Sequence, residues 1–235
     1  MYSLDHKYFL QFMLKNSYIS IDKALEFCHK HPIDVTDLAS LKRFISVINA
    51  KITQQDLKLL VLKCEVTNDD ALALVNTAND DITKLQNVYS ANELEYFQLL
   101  LHELVVSENH RLKKMGCFNL TLIRGLTKDH IEKLLTKWIK NGYLVEKDSY
   151  VYLGARCIIE FAPYLSAHCK HFYSDCFLCS EAVFVGSTCA SCNKIMHKSC
   201  LDKYLTKKNQ CPECKRDWED LEIQVTQDND ASTSE

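Results

Sequence analysis

The sequence predicts an α+β fold that is mainly helical, and three observations lead there. Gly and Pro number only 5 and 3 in 235 residues, so few breaks are forced on the chain. Apolar residues recur at spacings of three and four over long stretches, and in two places this period gives way to short runs flanking a turn. Eight of the twelve cysteines crowd between Cys169 and Cys214.

In residues 1–90, Tyr8, Phe9, Phe12 and Met13 form a helical stripe. Ser20 is a cap for a second helix over Ile21 to His29. A third begins near Thr36 and presents Leu38, Leu41, Phe44, Ile45, Ile48 and Ile52. Leu57–Val61 and Ala71–Val75 read as strands, with Val66–Asp70 as their turn. Residues 91–168 repeat the order. Leu94 to Val106 is amphipathic, and a short helix is expected over Asn119 to Arg124. After Thr127, Ile131, Leu134, Leu135 and Trp138 share one face, and Asn141-Gly142 ends that helix. Tyr143–Glu146 and Tyr150–Leu153 flank a turn at 147–149, and a last helix from Ala155 is expected to pack Ile158, Ile159 and Phe161. Three helices followed by a hairpin is winged-helix order, so tandem winged-helix domains are expected. Residues 221–235 form an acidic tail, which should be disordered from Gln227 onward.

The chain is 47% hydrophobic and 25% charged, with a net charge of −3. That balance excludes a strongly basic nucleic-acid binder. No apolar run is long enough to span a membrane. The N-terminus, MYSLDHKYFL, lacks the pattern of a signal peptide, so a reducing compartment is expected. Clustered cysteines in such a compartment point to metal rather than disulfides.

Residues 169–220 carry the cluster. The spacing is Cys176-x2-Cys179-x9-Cys189-x2-Cys192-x4-His197-x2-Cys200-x10-Cys211-x2-Cys214. A two-residue gap lets both members of a pair reach one tetrahedral ion, and two pairs fill one zinc. Eight ligands therefore imply two structural Zn2+ ions, with no open position for catalysis. The module is too small to stand on an apolar core. A structural zinc contributes about 10–16 kcal/mol in finger peptides. A zinc deaminase would need Pro before a Cys-x-x-Cys pair, whereas Pro212 follows Cys211. Its other element occurs only as His130-Ile131-Glu132, within a predicted helix. Cys28, Cys64, Cys117 and Cys157 read as small core residues. Cys169, between His168 and His171, reads as linker. There is no catalytic triad, phosphate loop or acid–base constellation, so no catalytic residue and no small-molecule substrate are expected.

Four Cys, one His and three Cys is a ligand order that resembles a RING-variant finger and equals that of PHD fingers. Asn209 stands where PHD fingers carry an aromatic residue. The resemblance to RING fingers implies interleaved sets. Cys176, Cys179, His197 and Cys200 would share one zinc, and Cys189, Cys192, Cys211 and Cys214 the other. It also implies a groove for a ubiquitin-conjugating enzyme, formed by Phe177, Leu178, Tyr204 and Pro212. Lys215 follows the eighth ligand, a position that touches ubiquitin in RING ligases. Lys in place of Arg there forfeits bidentate hydrogen bonding.

Over residues 1 to 220 the chain resembles the family of non-structural maintenance of chromosomes element 1, the RING subunit of the Smc five/six complex. The resemblance rests on LALVNTANDDITKL (Leu72 to Leu85), ANELEYFQLLLHELV (Ala91 to Val105) and SCNKIMHKSC (Ser191 to Cys200). It implies a ubiquitin ligase that works with a MAGE-family partner and a kleisin-type subunit in DNA repair, in the nucleus on chromatin. Two competing readings remain open. The module can be a purely structural adaptor. Alternatively, Lys133, Lys137 and Lys140, at i, i+4, i+7, can contact DNA phosphates; a solvated outer face is the plainer account of that stripe.

Overall fold

The computed structural model describes residues 2–78, 88–120 and 125–218. Helix α1 (Leu4–Asn16) buries Phe9 and Met13. Tyr8, expected in the same stripe, is 47% exposed, with its ring edge-on to His31 at 4.9 Å. A short strand β1 (Tyr18–Ser20) follows, which the sequence pattern does not reveal. Helix α2 (Ile21–Lys30) is capped by Ser20, whose Oγ accepts the Lys23 amide at 3.3 Å. Helix α3 (Leu38–Ile52) begins two residues beyond Thr36. The reason is local: Asp37 accepts the Ser40 amide at 2.6 Å, and Ser40 Oγ accepts the Asp37 amide at 3.1 Å. This reciprocal box fixes the first turn.

Strands β2 (Leu57–Lys63) and β3 (Asp70–Asn76) pair antiparallel, and β1 lies on the other side of β3, giving the order β1-β3-β2. The Asn49 amide on α3 clamps the sheet. It donates to the Leu59 carbonyl at 2.8 Å and accepts the Leu59 amide at 2.7 Å. The apolar faces of α1, α2, α3 and β3 meet in one cluster.

The next unit repeats this order with different residues. Helix α4 (Ala91–Val106) opens on a Ser90–Glu93 capping box. Strand β4 (Arg111–Lys113) is again not legible in the pattern. The short helix α5 spans Lys114–Asn119, where the sequence pattern suggests 119–124. Arg111–Lys113 enters the sheet, so the helix starts directly at its end; residues 121–124 lie outside the described residues. Helix α6 (Lys128–Lys140) is capped by Thr127 and buries Ile131, Leu134, Leu135 and Trp138. It ends in a Schellman motif. Tyr143 donates to the Trp138 carbonyl at 2.9 Å and Gly142 (φ 75°) to that of Ile139 at 3.0 Å. Strands β5 (Leu144–Lys147) and β6 (Tyr150–Leu153) are joined by Asp148-Ser149, both with positive φ, as a type I′ hairpin turn needs. The sheet order β4-β6-β5 matches that of the first unit.

Helices α7 (Ala155–Glu160) and α8 (Ala162–His168) close the second unit. The expected packing of the last helix needs correction. Phe161 is buried, but Ile159 is 39% exposed, and α7 buries Ala155, Cys157 and Glu160 instead. The reason is that α7 packs against β3 of the first unit and turns its polar Glu160 into the joint. Glu160 accepts the Asn76 amide at 3.0 Å, Arg156 Nε at 3.0 Å and the Tyr143 hydroxyl at 2.8 Å. These donors compensate a carboxylate that would be costly to bury alone. Cys28, Cys64, Cys117 and Cys157 are buried. Cys169 is a second correction. It is no linker residue, because it caps α8, donates to the Leu165 carbonyl and lies in the second unit's core at 1% exposure. Among the described residues no helix is long and apolar enough to cross a membrane. The acidic tail expected to be disordered lies outside the described residues.

Candidate metal centre

The zinc module is built from tight turns. Strand β7 (Ser174–Asp175) pairs with β8 (Ala182–Val183), and β9 (Ser187–Thr188) pairs with β10 (Ile195–Met196). Helix α9 (Lys198–Leu205) carries Cys200. Three of the four ligand pairs share one main-chain construction. Ser180, Asn193 and Lys215 each follow a pair in the left-handed region and donate to the carbonyl of its first Cys, at 2.8, 2.8 and 3.1 Å. That turn aims both sulfurs of a pair to the same side.

The eight side chains gather into two clusters, Cys176, Cys179, His197, Cys200 and Cys189, Cys192, Cys211, Cys214. Within each, the ligand atoms lie inside 4.8 Å of one another. A tetrahedral ion with Zn–S bonds of about 2.3 Å sets its sulfurs about 3.8 Å apart. Cys189 and Cys214 stand at 3.8 Å and Cys192 and Cys211 at 3.7 Å, close to that geometry and far beyond a disulfide. In the other cluster His197 Nδ1 lies 3.3 Å from Cys179 Sγ and 3.8 Å from Cys200 Sγ. The donor sets therefore fit two structural zincs, each closed by four protein ligands.

Metal binding needs thiolates. Burial pushes the Cys176 thiol up, but main-chain N–H groups of His197, Leu178 and Cys179 outweigh it and hold the thiol at about 7. Cys189 is likewise held at about 7, through the amides of Ser191 and Cys192. In each cluster the lowered thiol stands beside one that burial pushes up, Cys179 in the first and Cys211 in the second, so one member of the pair gives up its proton before the other.

The imidazole of His197 faces two ways. Nδ1 faces the sulfurs, while Nε2 lies 3.0 Å from Glu65 Oε1 and 3.0 Å from the Ala182 carbonyl. Both of those atoms are acceptors, so Nε2 carries the proton. Glu65 lies in the turn after β2, in the first unit. Its other oxygen accepts the Phe184 amide at 3.1 Å and the Val185 amide at 2.7 Å. Phe184 itself is 5% exposed and lies in the second unit's core, 4.9 Å from the Tyr173 ring and 5.3 Å from that of His110. The module is therefore gripped by both units. Sequence reasoning misses Glu65, because nothing but proximity to Cys64 marks it.

The residues of the expected enzyme groove have mixed settings. Phe177 is 39% exposed. Leu178 is half-buried against a small core of Cys176, Val183, Met196 and Leu201. Tyr204 is half-buried on α9, and Pro212 is buried. Lys215 donates its ammonium back to the Pro212 carbonyl. On α6, Lys133 pairs with Asp129 at 2.6 Å and Lys137 Nζ lies 4.2 Å from the Tyr89 ring centroid. Two of the three stripe lysines thus have partners within the chain. His130, of the discarded deaminase element, pairs with Glu93 at 2.8 Å and belongs to neither metal cluster.

Comparison with known proteins agrees with this arrangement. Residues 6–122 match the family model described as Nse1 non-SMC component of SMC5-6 complex, and residues 176–214 match a RING-like domain. Proteins called non-structural maintenance of chromosomes element 1 homolog are similar to the chain. The one from Homo sapiens is 28% identical over 225 residues, covering 91% of this chain and 83% of its own. The one from Drosophila melanogaster is 27% identical over 183 residues, covering 76% and 78%. A chain of a solved structure, the Nse1-Nse3-Nse4 complex, shares the fold, with a TM-score of 0.73 at 24% identity over 93% of this chain and 97% of that one. With the family model on its helical part, the RING-like match on its zinc module and homologues along most of its length, this chain belongs to the Nse1 family.

Proposed function

We propose that the protein is a RING-type ubiquitin-protein ligase subunit of the SMC5-6 chromosome-maintenance complex, acting in DNA repair on chromatin in the nucleus. The observation that carries this reading is the pair of interleaved, fully closed zinc clusters in a chain of the Nse1 family. Closed sites cannot activate water, so the module works as a scaffold. It holds a conjugating enzyme and its linked ubiquitin in one arrangement, and the gain in rate comes from orientation. Phe177, Leu178 and Tyr204 supply the docking contact, with Pro212 supporting it from beneath. Lys215 reaches ubiquitin after releasing the Pro212 carbonyl.

Residues 1–90 and 91–168 act as two winged-helix domains, a reading supported by their matching order of helices and strands. Residues 169–220 form the RING variant. The partners are a MAGE protein corresponding to Nse3 and a kleisin corresponding to Nse4, a reading supported by the likeness to a chain of the Nse1-Nse3-Nse4 complex. A second reading, a non-catalytic adaptor, is favoured by the buried Pro212 and the tethered Lys215.

The test is lysine-dependent discharge of ubiquitin from a panel of charged conjugating enzymes, with the protein alone and with its MAGE partner. Faster discharge that Leu178→Ala removes supports the ligase. No acceleration in either form, with two zincs bound, supports the adaptor.

A further inference from the structure

We propose that Glu65 is an outer positioning residue of the zinc site formed by Cys176, Cys179, His197 and Cys200. Through it, filling that site and docking the first helical unit become one coupled equilibrium. The inference stands whether or not the module transfers ubiquitin.

A histidine that ligates through Nδ1 is held in the right tautomer and plane by the partner of its other nitrogen, and a carboxylate there also raises its strength as a ligand. His197 Nε2 has such a carboxylate at 3.0 Å, and it comes from 132 residues away in sequence. The contact is enclosed: the Glu65 side chain is 9% exposed and that of His197 16%. Glu65 is also held from behind. Its second oxygen accepts two consecutive amides, Phe184 and Val185, so the carboxylate cannot swing away without breaking all three bonds. The turn that presents it is itself fixed. Asn68, at φ 62°, donates to the Cys64 carbonyl at 2.9 Å, and Cys64 donates to that of Asp69 at 2.9 Å.

This geometry makes the coupling reciprocal. If the docked turn strengthens the site's grip on zinc, zinc must strengthen the docking by the same factor. The second cluster, Cys189, Cys192, Cys211 and Cys214, has four sulfur ligands and no imidazole, so it offers no such handle. The two sites should therefore respond differently to one substitution in a distant unit.

The experiment measures release of both zincs from the full chain to a chromogenic chelator. In Glu65→Ala one zinc equivalent should bind about 10–100-fold more weakly, while the other keeps its wild-type behaviour. Glu65→Gln, which keeps the shape and one acceptor oxygen, should fall between. His197→Cys converts the site to four sulfurs, and in that background Glu65→Ala should cause no further loss of zinc. Hydrogen exchange in residues 63–69 should rise when the first zinc alone is removed. Wild-type release of both zincs from Glu65→Ala would overturn the proposal, and so would equal weakening of both. An undiminished effect of Glu65→Ala in the His197→Cys background would show that the residue acts through docking alone and not through the imidazole, which also overturns it.

Discussion

Replacing Gly142 by Ala should destabilise the helical part of the protein, and the cost can be worked from two sources. Gly142 closes α6 at φ 75°, where an L side chain is strained by about 1–2 kcal/mol. A Cβ there would also stand 2.5 Å from Tyr18 Cε2 and 2.7 Å from its Cγ, on the strand β1 of the other unit. Such overpacking costs about 1–3 kcal/mol. Against this, Ala lowers the entropy of the unfolded chain, returning about 0.4–1 kcal/mol. The net expectation is a loss of roughly 2–4 kcal/mol. Urea unfolding followed by helical circular dichroism at saturating zinc is the assay. The two sources separate in a double-mutant cycle. In a Tyr18→Ala background the clash is gone, and only about 1 kcal/mol of strain should remain. Gly116→Ala serves as a control of opposite sign. It meets nothing within 4 Å and sits in α5, so it should stabilise by about 0.5–1 kcal/mol. A Gly142→Ala loss below about 0.5 kcal/mol, or one unchanged by Tyr18→Ala, would refute the reasoning.

Glu160→Ala should cost about 3–5 kcal/mol, because it strands Arg156 in a buried joint; the shift in urea midpoint at constant slope measures it. A chelator that strips both metals should expose residues 172–218 to hydrogen exchange first and leave α1–α6 protected. The loss should also spread to the contact of Phe184 with Tyr173 and His110, and unchanged exchange in the module would contradict the zinc-held fold. Converting Lys133, Lys137 and Lys140 to Glu tests the DNA reading: it predicts loss of salt-sensitive binding to double-stranded DNA, and unchanged affinity removes it. Zinc affinity should fall steadily as the pH drops, already above neutrality because burial pushes the Cys179 and Cys211 thiols up, and more steeply below about 7, where protons also compete for the Cys176 and Cys189 thiolates; chelator competition on both sides of neutrality reads it out.

Local rules carry much of this protein. Ser20, Thr127 and the Asn141-Gly142 pair mark helix ends in the sequence and do so in the structure, because a cap is decided by residues three or four apart. The two-residue gaps set the number of zincs for the same reason. Strands β1 and β4 leave no such mark. Three residues each, they are strands only because β3 and β6 supply partners across the chain. Tyr8 and Ile159 are less buried than their stripes suggest, because a periodic stripe shows which residues share a face, not how far the neighbouring element covers it.

The sequence by itself determined the long helices, the ends at Ser20, Thr127 and Asn141-Gly142, the hairpins, and a module that two zincs must hold, since each rests on contacts within a few residues; it did not place α5 or divide α7 from α8. Only the tertiary structure decided that Glu160 fills the joint between the units, that Phe184 enters the second core, and that Glu65 faces His197. A carboxylate's meaning depends on which donors the fold brings to it, and donors over a hundred residues away leave no trace in the spacing around it.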